Sequence, residues 1–294
     1  MRTASATQEQ GGSDQRLHVL AFWPVAYSHR VDVRSLAYRT DLALLGLAGS
    51  EIDDRGSHIV VRTPDNPGFR WGNFYLLARP PGADQVDAVI AAYDVDFPDS
   101  THRAFGIDGT TPHGAALDPL VQVGLKPDTA TVMTATSVLP PPHPNPEASY
   151  RRLASDDDWG QRVELSVAVD DGENEPTSYL EFATRRAAAD RALSEAGQGA
   201  WWGAFLDGRL VSCMGLVDAG GGLARYQSVE THPEFRGRGL AGTLVHRVAA
   251  YGFDDLGAKT LVMVADPEYS AIRIYRSVGF DGTETQTELN QKPR

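Results

Sequence analysis

Thr231-His-Pro-Glu-Phe-Arg-Gly-Arg-Gly-Leu-Ala-Gly242 lies between a strand-type run, Leu223 to Thr231, and a helical run. That helical run keeps Leu240, Leu244, Val245, Val248 and Tyr251 on one face. A helix start leaves backbone N–H groups unpaired and carries partial positive charge, so it attracts phosphate. Glycines at 237, 239 and 242 remove the side chains that would hold a diphosphate off those amides. Arg236 and Arg238 add local positive charge in a chain of formal net charge −12. A diphosphate-binding loop is therefore expected over Arg236, Gly237, Arg238, Gly239, Leu240, Ala241 and Gly242.

Two kinds of cofactor suit such a loop. Gly237-x-Gly239-x-x-Gly242 satisfies the glycine pattern of dinucleotide folds, with Asp266 far enough beyond it to meet a ribose. That pattern should open directly from an apolar strand, whereas Pro233, Glu234, Phe235 and Arg236 intervene here. The residues after Gly242 are also too few for the further strand and helix units of an oxidoreductase of that kind. Downstream, Val264-Ala-Asp-Pro-Glu268-Tyr-Ser-Ala271-Ile-Arg-Ile-Tyr275-Arg-Ser-Val-Gly279-Phe280 reads as a strand end, a short helix carrying Tyr275, and a Gly-Phe turn.

With both stretches in this order, residues from about Tyr150 to Gln286 resemble the GNAT superfamily of N-acetyltransferases. The family's loop is Arg/Gln-x-x-Gly-x-Gly/Ala after a central strand, here Arg236-Gly-Arg-Gly239-Leu-Ala241. The resemblance implies an α/β fold of the α+β kind, a mixed central sheet flanked by helices. It implies acetyl-CoA as co-substrate and a primary amine of a small molecule or peptide as acceptor, attacking directly in a ternary complex. Strand 223–231 is expected to splay from 260–265 and to offer backbone N–H groups near Val229 to the pantetheine arm. Tyr275 matches the family's tyrosine beside the thioester sulfur, and a phenol of pKa about 10 can protonate a thiolate of about 8.5. Glu268 stands where the family commonly has an asparagine touching the cofactor, so its carboxylate must point away from phosphates. An acetyl-CoA sensor without acceptor chemistry is the alternative, against which Tyr275 speaks.

For the base, Glu230 is the carboxylate on the central strand. Strict alternation sets it opposite Arg225, Gln227 and Val229, and a bulge would bring it round. His232, before Pro233, reads as a loop or capping residue.

Working outward, Ser155-Asp-Asp-Asp-Trp caps a helix toward Val169, and a second helix spans Ser178 to Ala196. Ala200–Leu206 and Arg209–Val217 form a hairpin about Asp207-Gly208. Strand Leu223–Thr231, helix Leu240 to about Asp255, strand Thr260–Ala265, helix Ser270–Ser277 and a strand from Phe280 complete this half. Five prolines between Val138 and Glu147 predict a stiff extended linker over 138–148, dividing a domain at 16–137 from a catalytic domain at 149–294, with 1–15 a disordered tail.

The first half reads as a helix at Leu36–Leu47, strands at Ser57–Thr63 and Phe69–Leu77, a helix near Gln85–Tyr93, and a β-run Thr129–Ser137. It lacks the Arg-x-x-Gly-x-Ala loop, yet Val121-Gln-Val-Gly-Leu-Lys-Pro-Asp before a β-run resembles the end of a GNAT fold. A degenerate second copy, walling the acceptor site, is the expectation. Pro67–Leu77 and Asp99–Asp108 mix aromatic and polar groups and read either as pocket lining or as a core strand and a loop.

A chain of 294 residues, 41% hydrophobic and 9% aromatic, has the means for about two globular cores. Its negative charge argues against nucleic acid and anionic membrane surfaces and suits a cationic acceptor such as an amino sugar, polyamine or peptide N-terminus. Without a signal-type or spanning apolar run, a cytoplasmic protein is expected, as monomer or homodimer. Cys213, the single cysteine, sits in an apolar run and reads as a core thiol; histidine spacing predicts no metal.

Overall fold

A computed structural model describes residues 31–291 except 101, 171, 173, 269 and 270, so the expected tail at 1–15 lies outside the described residues. The first half runs α1 (Leu36–Leu47), β1 (Glu51–Asp54), β2 (His58–Arg62), β3 (Phe74–Leu77), α2 (Val86–Asp96), β4 (Arg103–Ile107), α3 (Asp118–Gln122) and β5 (Lys126–Ala135). The second runs β6 (Ser149–Arg152), α4 (Asp156–Val169), α5 (Pro176–Glu195), β7 (Gly199–Leu206), β8 (Arg209–Gly220), β9 (Leu223–Thr231), α6 (Leu240–Asp254), β10 (Thr260–Ala265), α7 (Ala271–Ser277) and β11 (Asp281–Gln291).

The local signals act as their chemistry dictates. Ser155 Oγ accepts the Asp158 N–H at 3.1 Å while Asp158 accepts the Ser155 N–H at 3.1 Å, a reciprocal cap on α4. Asp207 and Gly208 take φ of 49° and 81°, the left-handed turn a tight hairpin between β7 and β8 needs. Leu240, Leu244, Val245, Val248 and Tyr251 of α6 are all buried, each contributing roughly 1.5–3 kcal/mol of apolar burial.

Two expected elements differ. Residues 69–73 do not join the strand ending at Leu77: Arg70–Gly72 form a 3-10 turn. The Asn73 side chain holds that turn, accepting the Thr63 N–H at 2.9 Å and donating to the Phe69 carbonyl at 2.8 Å. Residues 99–108, read as a loop or as pocket lining, contain the core strand β4. Its neighbour Asp108 is buried and accepts the backbone N–H groups of Arg34 and Ser35 at the start of α1.

The two halves repeat one order: strand, strand, strand, helix, parallel strand, short helix, long last strand. In the first the parallel pair is β3 with β4, in the second β9 with β10. All strands join one sheet ordered β1-β2-β3-β4-β11-β5-β10-β9-β8-β7-β6. The last strands are exchanged: β11 lies between β4 and β5, and β5 lies between β11 and β10. The division at the prolines therefore follows the chain, while the sheet runs through it.

Helix α1 packs across the centre of this sheet, Ala37 lying against Val132 of β5 and Val262 of β10. The proline segment is itself packed. Leu139 N–H donates to the Val278 carbonyl after α7, and Asn145 N–H donates to Thr243 Oγ1 on α6. No described helix is long and apolar enough to cross a membrane.

Candidate active site at a gap between two strands

Strands β9 and β10 are paired only where Leu223–Arg225 meets Thr260–Val262, yet β9 continues to Thr231 and β10 to Ala265. Their outer neighbours stay paired to those ends, β8 with β9 at Ser212↔Thr231 and β5 with β10 at Thr131↔Ala265. A wedge-shaped gap thus opens in the middle of the sheet, leaving backbone N–H and C=O groups on its edges for something other than a strand.

A bulge sits on the β9 edge. Gln227 faces Gly215 and Glu230 faces Cys213, so Ser228 and Val229 together oppose Met214, with Ser228 left-handed at φ 43°. The extra residue resets the alternation. Arg225, Gln227 and Glu230 turn to the face covered by α1, α4 and α5, whereas Tyr226 and Val229 pack against the α6 core.

On the α6 face, the loop after β9 makes a short turn at Pro233–Phe235, then two left-handed glycines, Gly237 and Gly239, both at φ 75°. Helix α6 starts at Leu240 with no side-chain cap, so its first-turn N–H groups remain for a ligand. Arg236, Gly237 and Arg238 are exposed, and the space where a Gly237 Cβ would stand is open. Arg238 and Arg209 each lie 5.3 Å from the Phe235 ring centre, which gathers positive charge at the helix start. This cradle fits a diphosphate-bearing group.

Gly239 has a reason the sequence did not disclose. An added Cβ would meet the His143 carbonyl oxygen at 2.1 Å, so this glycine admits the proline segment as well as turning the chain. Asn145 ties the two together, donating to the Arg238 carbonyl at 2.9 Å and accepting the Glu147 and Ala148 N–H groups. Gly242 is buried, its missing Cβ facing Ile274 and Pro141. Leu240 is buried, and Ala241 half-buried, in the same first turn.

Tyr275 on α7 is buried in the core built around α6, on the loop's side of the sheet. Glu268 is exposed beyond the end of β10, where its N–H donates to Asp266 at 2.7 Å. The expected first residue of α7's helical run, Ser270, lies outside the described residues. His232 caps the turn, accepting the Glu234 N–H at 3.3 Å.

Glu230 faces the layer of α4 and α5 through the bulge. It accepts a hydrogen bond from Ser166 of α4 at 2.8 Å, and burial pushes its carboxyl upward against the opposing pull of Arg162. Beneath it Cys213 is a buried free thiol, raised by burial, as a core cysteine should be. Helices α4 and α5 are fixed to each other by the buried Arg162–Asp190 pair at 2.6 Å, with Arg162 3.8 Å over the Trp201 ring.

A cavity of about 630 Å³ lies on the face opposite α6. Gln227 of β9 and Val264 of β10, from either side of the gap, belong to its lining. Helices α1 and α5 and the 63–74 segment supply the walls, so Phe69, Trp71 and Phe74 line it as the pocket alternative had it. Asp41 of α1 accepts from Arg225 at 3.0 Å and from Gln286 at 3.0 Å at the gap.

Glu288 of β11 also lines the cavity, its carboxyl pushed up to about 8 by burial and by the charges of Asp41 and Asp128. Sequence reading missed Asp41, Gln286 and Glu288. The available signal was β11 itself: Glu284, Gln286 and Glu288 share one face of a strand that a central position should have made apolar. Among the described residues no group of three metal-ligating side chains occurs.

A model of the acetyltransferase (GNAT) family matches residues 159–280. No curated protein matches the chain. In structure it is similar to a GCN5-related N-acetyltransferase from Kribbella flavida, 15% identical, covering 88% of this chain and 97% of that one, TM-score 0.63. A conserved protein of unknown function from Staphylococcus epidermidis ATCC 12228, 11% identical, covers 84% and 96% at TM-score 0.65. A tandem GNAT protein from the clavulanic acid biosynthesis pathway, 13% identical, covers 83% and 83% at TM-score 0.52. At such identities the likeness concerns the fold, and it extends over both halves. The glycine loop, the parted strands and the Tyr275 helix all fall inside the segment, residues 159–280, that matches the acetyltransferase (GNAT) family model.

Proposed function

We propose that the protein transfers an acetyl group from acetyl-CoA to a primary amine by direct attack in a ternary complex. The observation that carries this reading is the gap: the glycine loop and Tyr275 stand on one face of the sheet, a cavity on the other, and Gln227 and Val264 border both the opening and the cavity. Two reactants can meet through the sheet without competing for one entrance.

Acetyl-CoA supplies the acyl group as a thioester when bound. The residues assigned to it are Arg236, Gly237, Arg238, Gly239, Leu240, Ala241 and Gly242 for the diphosphate, the backbone at Val229 for the arm, and Glu268 at the rim. Backbone N–H groups on the open β9 edge suit the developing oxyanion, so no side chain is needed there. The amine nitrogen forms its bond to the carbonyl carbon as the carbon–sulfur bond breaks. Tyr275 gives its proton to the leaving thiolate. The nitrogen's proton leaves to a carboxylate on the cavity side. Glu230 faces that side but bonds Ser166 outside the cavity lining, whereas Glu288 lies within it.

The test is thiol release from acetyl-CoA in the presence of a panel of amines, with mass spectrometry of the products. Acetylated amine with stoichiometric free CoA is expected. Tight acetyl-CoA binding without amine-dependent release would identify a sensor instead. Thermal shifts with NAD(P) and acetyl-CoA in parallel should raise the melting temperature with acetyl-CoA alone.

A further inference from the structure

We infer that the acceptor is a small primary amine with an apolar body of aromatic size, its nitrogen held at the strand gap by Glu288 and its body against Phe69, Trp71 and Phe74. This rests on the acetyl-transfer reading and narrows it. The cavity has the volume of a site for one small molecule. Its lining holds both carboxylates, Asp41 and Glu288, and aromatics, Phe69, Trp71 and Phe74. Asp41 is bonded to Arg225, which is the last β9 residue still paired with β10, so Asp41 adjoins the opening. Phe69 and Trp71 come from the segment before β3, and Phe74 is the first residue of β3.

The charges at the site exclude other classes of amine. Arg225 is engaged by Asp41 and by Thr40 Oγ1 at 2.8 Å. Arg186 is engaged by Asp190 at 3.3 Å and Gln227 at 3.1 Å, and lies 4.9 Å from the Phe69 ring centre. Arg185 is 48% exposed and directed at Glu181 at 3.7 Å. A free amino acid would therefore find a partner for its ammonium, while each arginine that lines the cavity is already engaged or half-exposed.

A polyamine or amino sugar meets a different difficulty. Those of its further ammonium or hydroxyl groups that fall against Leu44, Leu45, Ala189 and Leu193 lose water with no partner there, and Ser50, Thr63, Asp65 and Asn66 are polar groups elsewhere in the lining. Glu288, by contrast, accepts no hydrogen bond and joins no ion pair among the described residues, so its carboxylate is available to a single ammonium. The ammonium gives one proton to that carboxylate before the neutral nitrogen attacks, which leaves the charge of the cavity unchanged. The nitrogen loses a second proton as the amide forms, while the thiolate leaves protonated by Tyr275, whose phenolate takes that second proton back.

The full-length protein with acetyl-CoA tests this on 2-phenylethylamine and tryptamine against spermidine, glucosamine and phenylalanine. The first two should show kcat/KM at least about tenfold above the rest. Trp71→Ala should raise their KM about tenfold, and Glu288→Gln should lower their kcat/KM about a hundredfold, both with the KM for acetyl-CoA unchanged. Preference for spermidine, glucosamine or phenylalanine, or equal rates across the panel, overturns the inference and leaves acetyl transfer standing. Acetyl-CoA binding with no amine-dependent release anywhere in the panel overturns both.

Discussion

The connection from β3 to α2 and the connection from β9 to α6 occupy the same place in the two repeated halves, and only one of them forms a cradle. Between β3 and α2 the chain reads Ala78-Arg-Pro-Pro-Gly-Ala-Asp-Gln85, with two prolines that have no N–H to offer a phosphate. Between β9 and α6 stand two left-handed glycines and two arginines. The strands differ as well. Pairing of β3 with β4 extends to the end of β3, where the Asp108 N–H still donates to the Leu77 carbonyl at 2.9 Å. On the other side β9 outruns its pairing, and the Ser228 bulge turns its far end. One skeleton carries both connections, so a site of this kind depends on a strand left unpaired past its neighbour and on a turn without side chains, more than on the sheet order.

The largest way to break the contrast is Gly239→Val. Left-handed φ and the His143 carbonyl both forbid the new side chain, and a cost of about 3 kcal/mol or more is expected, with loss of calorimetric acetyl-CoA binding. Retained affinity would remove the loop from the cofactor site.

Tyr275→Phe comes next. The short helix α3 in the equivalent position of the first half has no tyrosine. The variant should lose about 10²- to 10⁴-fold in kcat with little change in acetyl-CoA affinity. Stopped-flow thiol release would show it, and an unchanged kcat would exclude the acid role.

Glu288 sharpens the comparison because it comes from the exchanged strand. An unfolded glutamate ionises near 4.5 and this one near 8, so between those values the folded state holds the extra proton and stability falls as pH rises. Glu288→Gln should flatten that fall in melting temperature from pH 5 to about 8. The kcat/KM advantage of the wild type over the variant should grow as pH rises through the same range and the carboxylate appears.

The smallest effects belong to the exposed arginines. Arg236→Ala and Arg238→Ala should each cost about 0.2–1 kcal/mol in acetyl-CoA binding, less in high salt. As the counterpart in the first half, Gly82→Ala meets the tip of the Asp84 side chain and should leave acetyl-CoA affinity within about 0.5 kcal/mol of wild type.

Much of this was legible residue by residue. The Asp207-Gly208 turn, the Ser155 cap and the α6 face follow from short-range chemistry and appear where expected. Glu230 was readable as a strand carboxylate, but its facing turned on whether the backbone takes one extra residue, which neither Ser228 nor Val229 announces. Asp41 and Glu288 were not readable at all, since the groups they meet lie far away in sequence: Asp41 meets Arg225, and Glu288 meets the cavity that α1 and α5 enclose.

The amino-acid order alone determined where helices begin, which faces they bury, and that one loop is stripped and charged for phosphate, because these are properties of neighbours along the chain. Only the folded molecule decided that β5 and β11 change places, that β9 and β10 part after Arg225, and that acids from α1 and β11 gather at that opening. The pairing of β5 with β11 and the bond of Gln286 to Asp41 join segments more than a hundred residues apart, and their energies appear only when all of the partners are assembled.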